Sequence, residues 1–169
     1  MVTMPQKQQR HSLKAKQAKL IIDEVSKRLN RNIENIIGEK AKFEIAETDL
    51  GDIYFVDGRP LLYGIEGKIL PTLLFTELSN WLPKIVVDMG AVPYVCKGAD
   101  IMAPGIVRIE GEFSRGDLVL VVDVKHGKML VLGEALYDGE DAKKVEKGAV
   151  VKSLHFVSDK IWDTAKAHA

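Results

Sequence analysis

This sequence contains very little cysteine. Cys96 is the one thiol in 169 residues, so no intramolecular disulfide bond can form. No apolar run approaches the roughly 20 residues that a membrane-spanning helix needs. The N-terminus is rich in lysine and glutamine and has no apolar segment typical of a secretory signal. These absences predict a soluble, cytoplasmic protein that does not act in a membrane.

Neither sign of charge is in excess, because 24 lysines and arginines balance 24 aspartates and glutamates. This balance argues against a general polyanion binder, since counterion release needs clustered positive charge. The charge is nevertheless uneven, because residues 1–31 hold eight basic residues against Asp23 and Glu24. Such a stretch predicts either a solvated helix face or a surface that attracts RNA or a protein partner. The eight residues are Lys7, Arg10, Lys14, Lys16, Lys19, Lys27, Arg28 and Arg31.

Patterns for catalysis and for metal or cofactor binding are missing too. The four histidines are far apart and lack ligand spacing, so we expect no metal. The glycines match neither phosphate-binding fingerprint, and no nucleophile, base and orienting group stand together, so we expect no cofactor and no enzyme. Cys96 is interpreted as a small buried hydrophobic residue. Four aspartates beside glycines or strand ends are expected to cap turns: Asp88, Asp100, Asp117 and Asp123.

The first half of the chain mixes helical and alternating patterns. Apolar residues three and four apart predict a helix that begins at Ser12, its N-cap, and ends near Leu29. A short second helix is predicted to end at Gly38. Alternating strands follow, with a hairpin turn at Asp57-Gly58. A further helix is predicted to begin at Pro71-Thr72 and to end before Pro83, so we expect helices packed on a small antiparallel sheet.

The second half is rich in short strands at roughly 8–12-residue spacing, which favours a closed or nearly closed barrel. Gly133 is predicted to mark a bulge or close packing within a strand. A short helix is expected over 142–147, followed by two last strands over 149–153 and 155–157. The change of pattern after Trp81 predicts two domains, residues 1–83 and 84–169, in an α+β fold.

The chain is organised around residues 86–106. Val86-Val87 predicts a strand that Gly90 ends, and residues 91–97 are long enough for about two helical turns. Gly98 fits the left-handed position after a helix, and residues 100–102 are expected to be extended before a turn at Pro104-Gly105. A bare glycine beside Lys97 allows a phosphate chain to approach closely.

Residues 90–106 carry the pattern Gly-Ala, Gly-Ala-Asp-x-Met and Pro-Gly-Ile, which resembles the core motif of PUA domains, RNA-binding modules. The tail from Leu154 to Trp162 is most similar to the malignant T-cell amplified sequence family, in which a pre-PUA domain precedes the PUA domain. The segments 57–62 and 70–73 resemble the hairpin and helix of that first domain. The resemblance therefore implies an N-terminal pre-PUA-like α+β domain followed by a PUA-type β pseudo-barrel.

The resemblance implies a non-catalytic RNA-binding protein related to translation, with tRNA or small-subunit ribosomal RNA as its structured RNA and a translation factor as a protein partner. A protein–protein adaptor that no longer binds RNA stays open, because residues from Lys84 on carry 12 basic and 13 acidic residues. An RNA-modifying enzyme is disfavoured, since 83 residues are few for a catalytic domain. The RNA-binding residues that the family implies are Lys97, Gly98, Ala99, Asp100, Met102, Pro104 and Gly105, with Lys152 and His155 as additions on the last strands.

Overall fold

The computed structural model describes residues 9–169. These residues group into two compact units, one of residues 9–75 with 160–169 and one of residues 76–159. The last helix of the chain therefore belongs with the first unit. The division into domains 1–83 and 84–169 concerns independent folding, and it stays a prediction. None of the helices in the described part of the chain is long and apolar enough to cross a membrane.

Five antiparallel strands that pair in chain order form the sheet of the first unit. They are β1 (His11–Ser12), β2 (Phe43–Thr48), β3 (Gly51–Val56), β4 (Arg59–Ile65) and β5 (Lys68–Pro71). Its helices, numbered along the chain, are α1 (Ala15–Leu29), α2 (Glu34–Ile37) and α5 (Lys160–Ala167).

The predicted hairpin turn between β3 and β4 is confirmed. Asp57 and Gly58 have φ values of 50° and 84°. Positive φ at both central residues gives a turn whose twist matches the flanking strands. Asp57 Oδ1 also accepts a hydrogen bond from the Lys42 backbone N–H at 2.9 Å, which ties the turn to the segment before β2.

The amphipathic character of α1 is confirmed, but its start differs from the prediction. Ile21, Val25 and Leu29 are buried. The helix begins at Ala15, and Ser12 is not its N-cap because Ser12 pairs with Glu44 in an extended conformation. Pairing with β2 determines the local conformation here, which a capping preference alone does not reveal.

The helix predicted to start at Pro71-Thr72 is wrong. Pro71 pairs with Leu62 as the last residue of β5. Thr72 extends this connection, since its N–H donates to Leu61 O at 2.8 Å and its hydroxyl donates to Pro60 O at 2.8 Å. The helical turn of this region is a 3-10 helix at Thr76–Asn80.

Helix α5 has no counterpart in the sequence-based predictions. It contacts β4 and buries Thr164 and Ala165. His168 follows it and is fully buried, with its ring centroid 6.0 Å from that of Phe55. Arg10 lies over the Phe55 ring at 3.9 Å and donates a hydrogen bond to the His168 carbonyl oxygen. These contacts join the end of the chain to the sheet of the first unit.

The second unit contains one sheet of six strands in the order β7-β11-β10-β9-β6-β8. In chain order the strands are β6 (Lys84–Val87), β7 (Ile101–Met102), β8 (Ile106–Glu110), β9 (Leu118–Asp123), β10 (Met129–Ala135) and β11 (Ala149–Phe156). Two short helices, α3 (Val92–Val95) and α4 (Gly139–Ala142), connect them. Strands β6 and β9 are parallel, and the other neighbours are antiparallel.

This sheet curls into a pseudo-barrel because its two edge strands are close in the chain. A three-residue 3-10 helix, Ala103–Gly105, joins edge strand β7 to edge strand β8. The enclosed core includes Ile85, Val121, Val131 and Val151. The predicted α+β fold class is confirmed, with a pseudo-barrel following an antiparallel sheet and its helices.

Gly133 marks a bulge and close packing, as predicted. The register of β10 against β11 shifts between Leu132 and Gly133. A Cβ atom at position 133 would lie 2.3 Å from Val151 Cγ1. The predicted last two strands form one continuous strand, β11, and the shift in register at the bulge lies between their two parts. The helix predicted over 142–147 is wrong, because the short helix of this region, α4, ends at Ala142. Its first residue is held by a distant segment, since the Gly139 N–H donates to Phe113 O at 2.8 Å.

Candidate nucleic-acid interface

The predicted site begins at the turn that leads from β6 into α3. Asp88 Oδ1 accepts a hydrogen bond from the Ala91 N–H at 2.8 Å, which holds the chain in the conformation that opens the helix. Pro93 lies in the first turn, where its missing N–H breaks no helical hydrogen bond. Val95 points into the core and is buried. The predicted capping role of Asp88 is therefore confirmed.

Residues 97–99, which we call the corner, end α3 in a Schellman motif. Gly98 has φ +97°, the left-handed conformation predicted for it. Its N–H donates to Val95 O at 3.1 Å, and the Ala99 N–H donates to Tyr94 O at 3.2 Å. These two hydrogen bonds satisfy carbonyl groups that the end of a helix would otherwise leave unpaired.

Gly98 meets a second constraint besides its backbone conformation. A Cβ atom at this position would lie 2.9 Å from Phe156 Cε1, closer than real Cβ contacts. The aromatic ring therefore occupies the space that the missing side chain leaves. Backbone conformation and packing together account for this glycine without a ligand.

Asp100 connects β7 to β11 and does not cap a turn. Its Oδ1 accepts a hydrogen bond from the Ser153 N–H at 2.9 Å. The Ala103 N–H donates to Gly148 O at 2.9 Å on the same side of the unit. The capping role predicted for Asp100 is thus replaced by a link between two strands that are distant in the sequence. For Asp117, which accepts from the Ser114 N–H at 2.9 Å, capping is confirmed.

Most of the predicted RNA-binding residues are accessible around the corner. Met102 is 50% exposed, although its neighbour Ile101 is buried in the core. Gly98 and Gly105 are partly exposed. The remaining members of this stretch are exposed, namely Lys97, Ala99, Asp100 and Pro104.

The two additions on β11 differ from each other. Lys152 is exposed and lies beside the residues that follow the corner, because Val151 pairs with Ile101 and the Ser153 N–H donates to Asp100. His155 is fully buried, and its Nδ1 lies 2.7 Å from Asp159 Oδ2. A buried imidazole held by a carboxylate stabilises the chain after β11 and presents no surface to a ligand. We therefore leave His155 out of the interface.

Tyr94 is an accessible residue that the sequence-based prediction missed. It is 69% exposed on α3, and its carbonyl oxygen accepts the hydrogen bond that ends the helix at the corner. An exposed aromatic ring offers a flat apolar face on which a base can stack. The signal was present in the sequence, since Val92, Val95 and Cys96 form the buried side of the short helix and leave Tyr94 on the other side.

The hairpin between β9 and β10 brings further positive charge near α3. Burial raises the pKa of the Cys96 thiol, and the nearby Lys128 ammonium acts in the opposite direction. Cys96 packs partly buried against the core, which confirms its predicted interpretation. Lys125, His126 and Lys128 are all exposed on this hairpin. Lys128 is distant from Cys96 in sequence, so only the folded chain shows their proximity.

Asp123 holds this hairpin in place. The His126 N–H donates to Asp123 Oδ1 and is the largest influence that keeps the pKa of this carboxyl below its usual range, although burial opposes it. The Lys128 N–H donates to Oδ2 at 3.0 Å. The predicted turn-capping role of Asp123 is confirmed, and it positions the basic hairpin.

No group of three or more histidine, cysteine or acidic residues within 9–169 is arranged to hold a metal ion. The exposed groups around the corner are lysines, an aromatic ring, a thioether, backbone and the Asp100 side chain, whose Oδ1 is bonded to the Ser153 N–H. These groups can neutralise phosphate and cover bases or sugars.

Two family models match this chain. Residues 9–77 match a domain of unknown function, DUF1947, and residues 83–157 match the PUA domain. An uncharacterized protein of Methanocaldococcus jannaschii is 42% identical over 135 residues, which cover 78% of this chain and 82% of that protein. These matches confirm the predicted PUA domain and the separate domain before it.

Other similar proteins differ in how much of their length is shared. Translation machinery-associated protein 20 of Saccharomyces cerevisiae is 27% identical over 139 residues, 78% of this chain and 77% of that protein. The probable tRNA pseudouridine synthase B of Pyrobaculum arsenaticum is 41% identical over 106 residues, 62% of this chain but only 31% of that protein. The crystal structure of a PUA domain from Aeropyrum pernix K1, in a tartrate complex, has a TM-score of 0.85 at 28% identity, covering 96% of this chain and 93% of that one.

Proposed function

Because this chain belongs to the family of proteins that join a DUF1947 domain to a PUA domain, we propose that it binds structured RNA in translation and catalyses no reaction. The observation that carries this proposal is the extent of the match to Translation machinery-associated protein 20, which covers 78% of this chain and therefore includes parts of both domains. The match to pseudouridine synthase B covers less than a third of that protein. The match therefore gives no reason to propose that this chain has the activity of that enzyme.

The interface around the corner supports RNA as the ligand. Lys97 and Lys152 can neutralise phosphates, and Met102 and Tyr94 offer apolar surface to bases or sugars. The unit has no large excess of positive charge, so affinity must come from shape and a few placed contacts. We propose tRNA or small-subunit ribosomal RNA as the structured RNA that it binds.

The test is binding of total tRNA and of small-subunit ribosomal RNA fragments to the full chain at physiological salt, measured by fluorescence anisotropy. Lys97→Glu should weaken binding about tenfold or more, equivalent to about 1.4 kcal/mol, because it repels the phosphate that Lys97 attracts. Lys97 is exposed, so this substitution should leave the fold intact.

Arg115→Glu is the matched control. Arg115 is exposed and precedes β9, whereas the hairpin that lies near α3 follows the other end of that strand. A six-residue strand separates these ends by roughly 20 Å. An equal loss of affinity in both variants would indicate diffuse charge attraction and would exclude the corner as the specific interface.

A protein–protein adaptor is the second candidate, favoured by the near-neutral charge from Lys84 onward. Absence of saturable binding to either RNA by the folded chain would favour the adaptor over the RNA-binding protein. An RNA-modifying enzyme is tested separately, by mass spectrometry of nucleosides after incubation of RNA with the protein. Time-dependent base modification would overturn the non-catalytic assignment.

A further inference from the structure

A groove opens on the first unit, and none of its lining residues belongs to the proposed RNA interface. Its volume is about 370 Å³. The groove lies where the turn before β3, the end of β4 and the start of β5 meet a side chain from α1. The residues that line it and carry the argument are Glu24, Asp52, Tyr54, Gly64, Glu66 and Lys68.

The lining of the groove is acidic. Glu24, Asp52 and Glu66 contribute carboxylates, against one cation from Lys68. Glu47 pairs with Asp52 across β2 and β3 and adds a fourth negative charge nearby. Burial raises the pKa of Asp52, and Glu47 raises it further. Within the described residues, the lining of the groove therefore contains more carboxylates than cations.

Tyr54 brings a polar group into this acidic surface. The residue is only 9% exposed, yet it lines the groove. No group within residues 9–169 forms a hydrogen bond with its hydroxyl. A Cβ atom at Gly64 would lie 3.4 Å from Tyr54 Oη, so the glycine keeps the hydroxyl uncrowded. A buried tyrosine normally finds a hydrogen-bond partner, and this one has its hydroxyl directed to the groove.

The hydroxyl and two carboxylates lie close enough to affect one another. Burial raises the pKa of Tyr54, and the charges of Asp52 and then Glu24 raise it further. Glu24 also accepts a hydrogen bond at 3.3 Å from the Ile69 N–H on edge strand β5. Three oxygen-bearing side chains from α1 and β3 thus converge beside the end of the sheet.

The chemistry of the groove excludes two kinds of occupant. Acidic side chains repel the phosphates of RNA. A metal ion needs several ligands at short, defined distances, and no such group occurs within the described residues. Among cationic groups a guanidinium fits this lining best, because its five donors can reach several acceptors at once and its charge is always positive.

We propose that this groove on the DUF1947 domain is a docking site for an arginine side chain of a partner protein. The charge of the groove is complementary to that side chain, and Asp52, Glu24 and the Tyr54 hydroxyl supply its acceptors. The proposal does not depend on RNA binding, since no residue is shared between the two sites.

The test uses the full chain labelled with ¹⁵N and titrated with the acetylated and amidated tripeptide Gly-Arg-Gly. We expect saturable shifts in the amide signals of Gly51, Gly64 and Gly67, which line the groove, with a dissociation constant of roughly millimolar order. The same peptide with citrulline, a neutral side chain of similar shape, should cause no saturable shift. Spermidine, a free polyamine, is titrated in parallel.

Variants separate the groove from general charge effects. Asp52→Asn and Tyr54→Phe should each weaken arginine-peptide binding by about threefold or more, the range of one hydrogen bond or exposed ion pair. Glu39→Gln removes an exposed carboxylate that does not line the groove and should leave binding unchanged. Equal shifts with citrulline, no saturation with arginine, or saturation with spermidine alone would each overturn the proposal.

Discussion

Replacing Gly98 with alanine tests why the corner contains a glycine. An alanine at φ +97° adopts a left-handed conformation, which costs roughly 1–2 kcal/mol. Its Cβ atom would also lie 2.9 Å from Phe156 Cε1, and such overpacking costs about 1–3 kcal/mol. We therefore expect Gly98→Ala to lower the free energy of unfolding of the second unit by about 2–5 kcal/mol.

Phe156→Leu separates the two contributions. The smaller side chain should relieve the overlap but not the backbone strain. In a double-mutant cycle the coupling between positions 98 and 156 should therefore be about 1 kcal/mol or more, with leucine reducing the effect of alanine. The free energies are measured by urea unfolding followed by tryptophan fluorescence. In a Trp162→Phe background, Trp81 reports on the second unit alone, because Trp162 belongs to the first.

Two results would refute this explanation. A destabilisation below about 0.5 kcal/mol, the usual effect of a harmless surface change, would show that neither strain nor overlap matters. A stable Gly98→Ala protein that loses affinity for RNA would show that the bare backbone is kept for a ligand. The same variant thus distinguishes packing from recognition as the reason for the glycine.

Three further predictions concern the first unit and the division of the chain. Burial raises the pKa of Asp52, so the folded state holds this proton more tightly than the unfolded state, and the stability falls as the pH rises through the folded-state pKa. Asp52→Asn should therefore raise the melting temperature near about pH 7 and not near about pH 3. An equal change at both pH values would contradict this explanation. Replacing the exposed Lys16, Lys19 and Lys27 with glutamine should flatten the slope of log RNA affinity against log salt concentration by about 0.7–0.9 per lost phosphate contact. An unchanged slope would indicate that the exposed face of α1 contacts solvent or a protein and not RNA. A fragment of residues 76–159 should unfold cooperatively by circular dichroism without α5, whereas a broad, non-cooperative transition would show that it depends on the first unit.

Arg28 is left out of the lysine replacements because it is not a free surface charge. It is only partly exposed, and its Nε is buried with no hydrogen-bond partner in the described structure. The residue spacing along α1 predicts that Arg28 lies off the apolar side of the helix, but in the structure its side chain is partly buried. Its replacement would change stability as well as charge.

Local patterns were sufficient where neighbouring residues determine the conformation. Asp57-Gly58 forms the predicted turn because both residues tolerate positive φ, and Gly98 ends α3 for a similar reason. The bulge at Gly133 was also predicted, from one glycine in an apolar strand. The PUA motif over residues 90–106 combines such local requirements with contacts to distant residues, since Asp100 bonds Ser153 and Gly98 packs against Phe156.

Predictions failed where a distant segment competes for the same residues. Ser12 pairs with β2 instead of capping α1, and Pro71-Thr72 follow β4 instead of starting a helix. Asp100 bonds Ser153, which lies 53 residues away. His155 lies on β11 as predicted, but its side chain is fully buried. The sequence does not show which side of this strand faces the interior, so the place of His155 in the interface could not be judged from it.

Information from residues close in the chain was enough to predict the α+β fold class and the local shape of the corner, because propensity, turn chemistry and periodicity act between near neighbours. Tertiary structure alone decided which charges share a surface. It placed Lys128 near Cys96 and brought Asp52, Tyr54 and Glu24 together at one groove. Burial and electrostatic interaction depend on distances in space, and folding sets those distances between residues that are far apart along the chain.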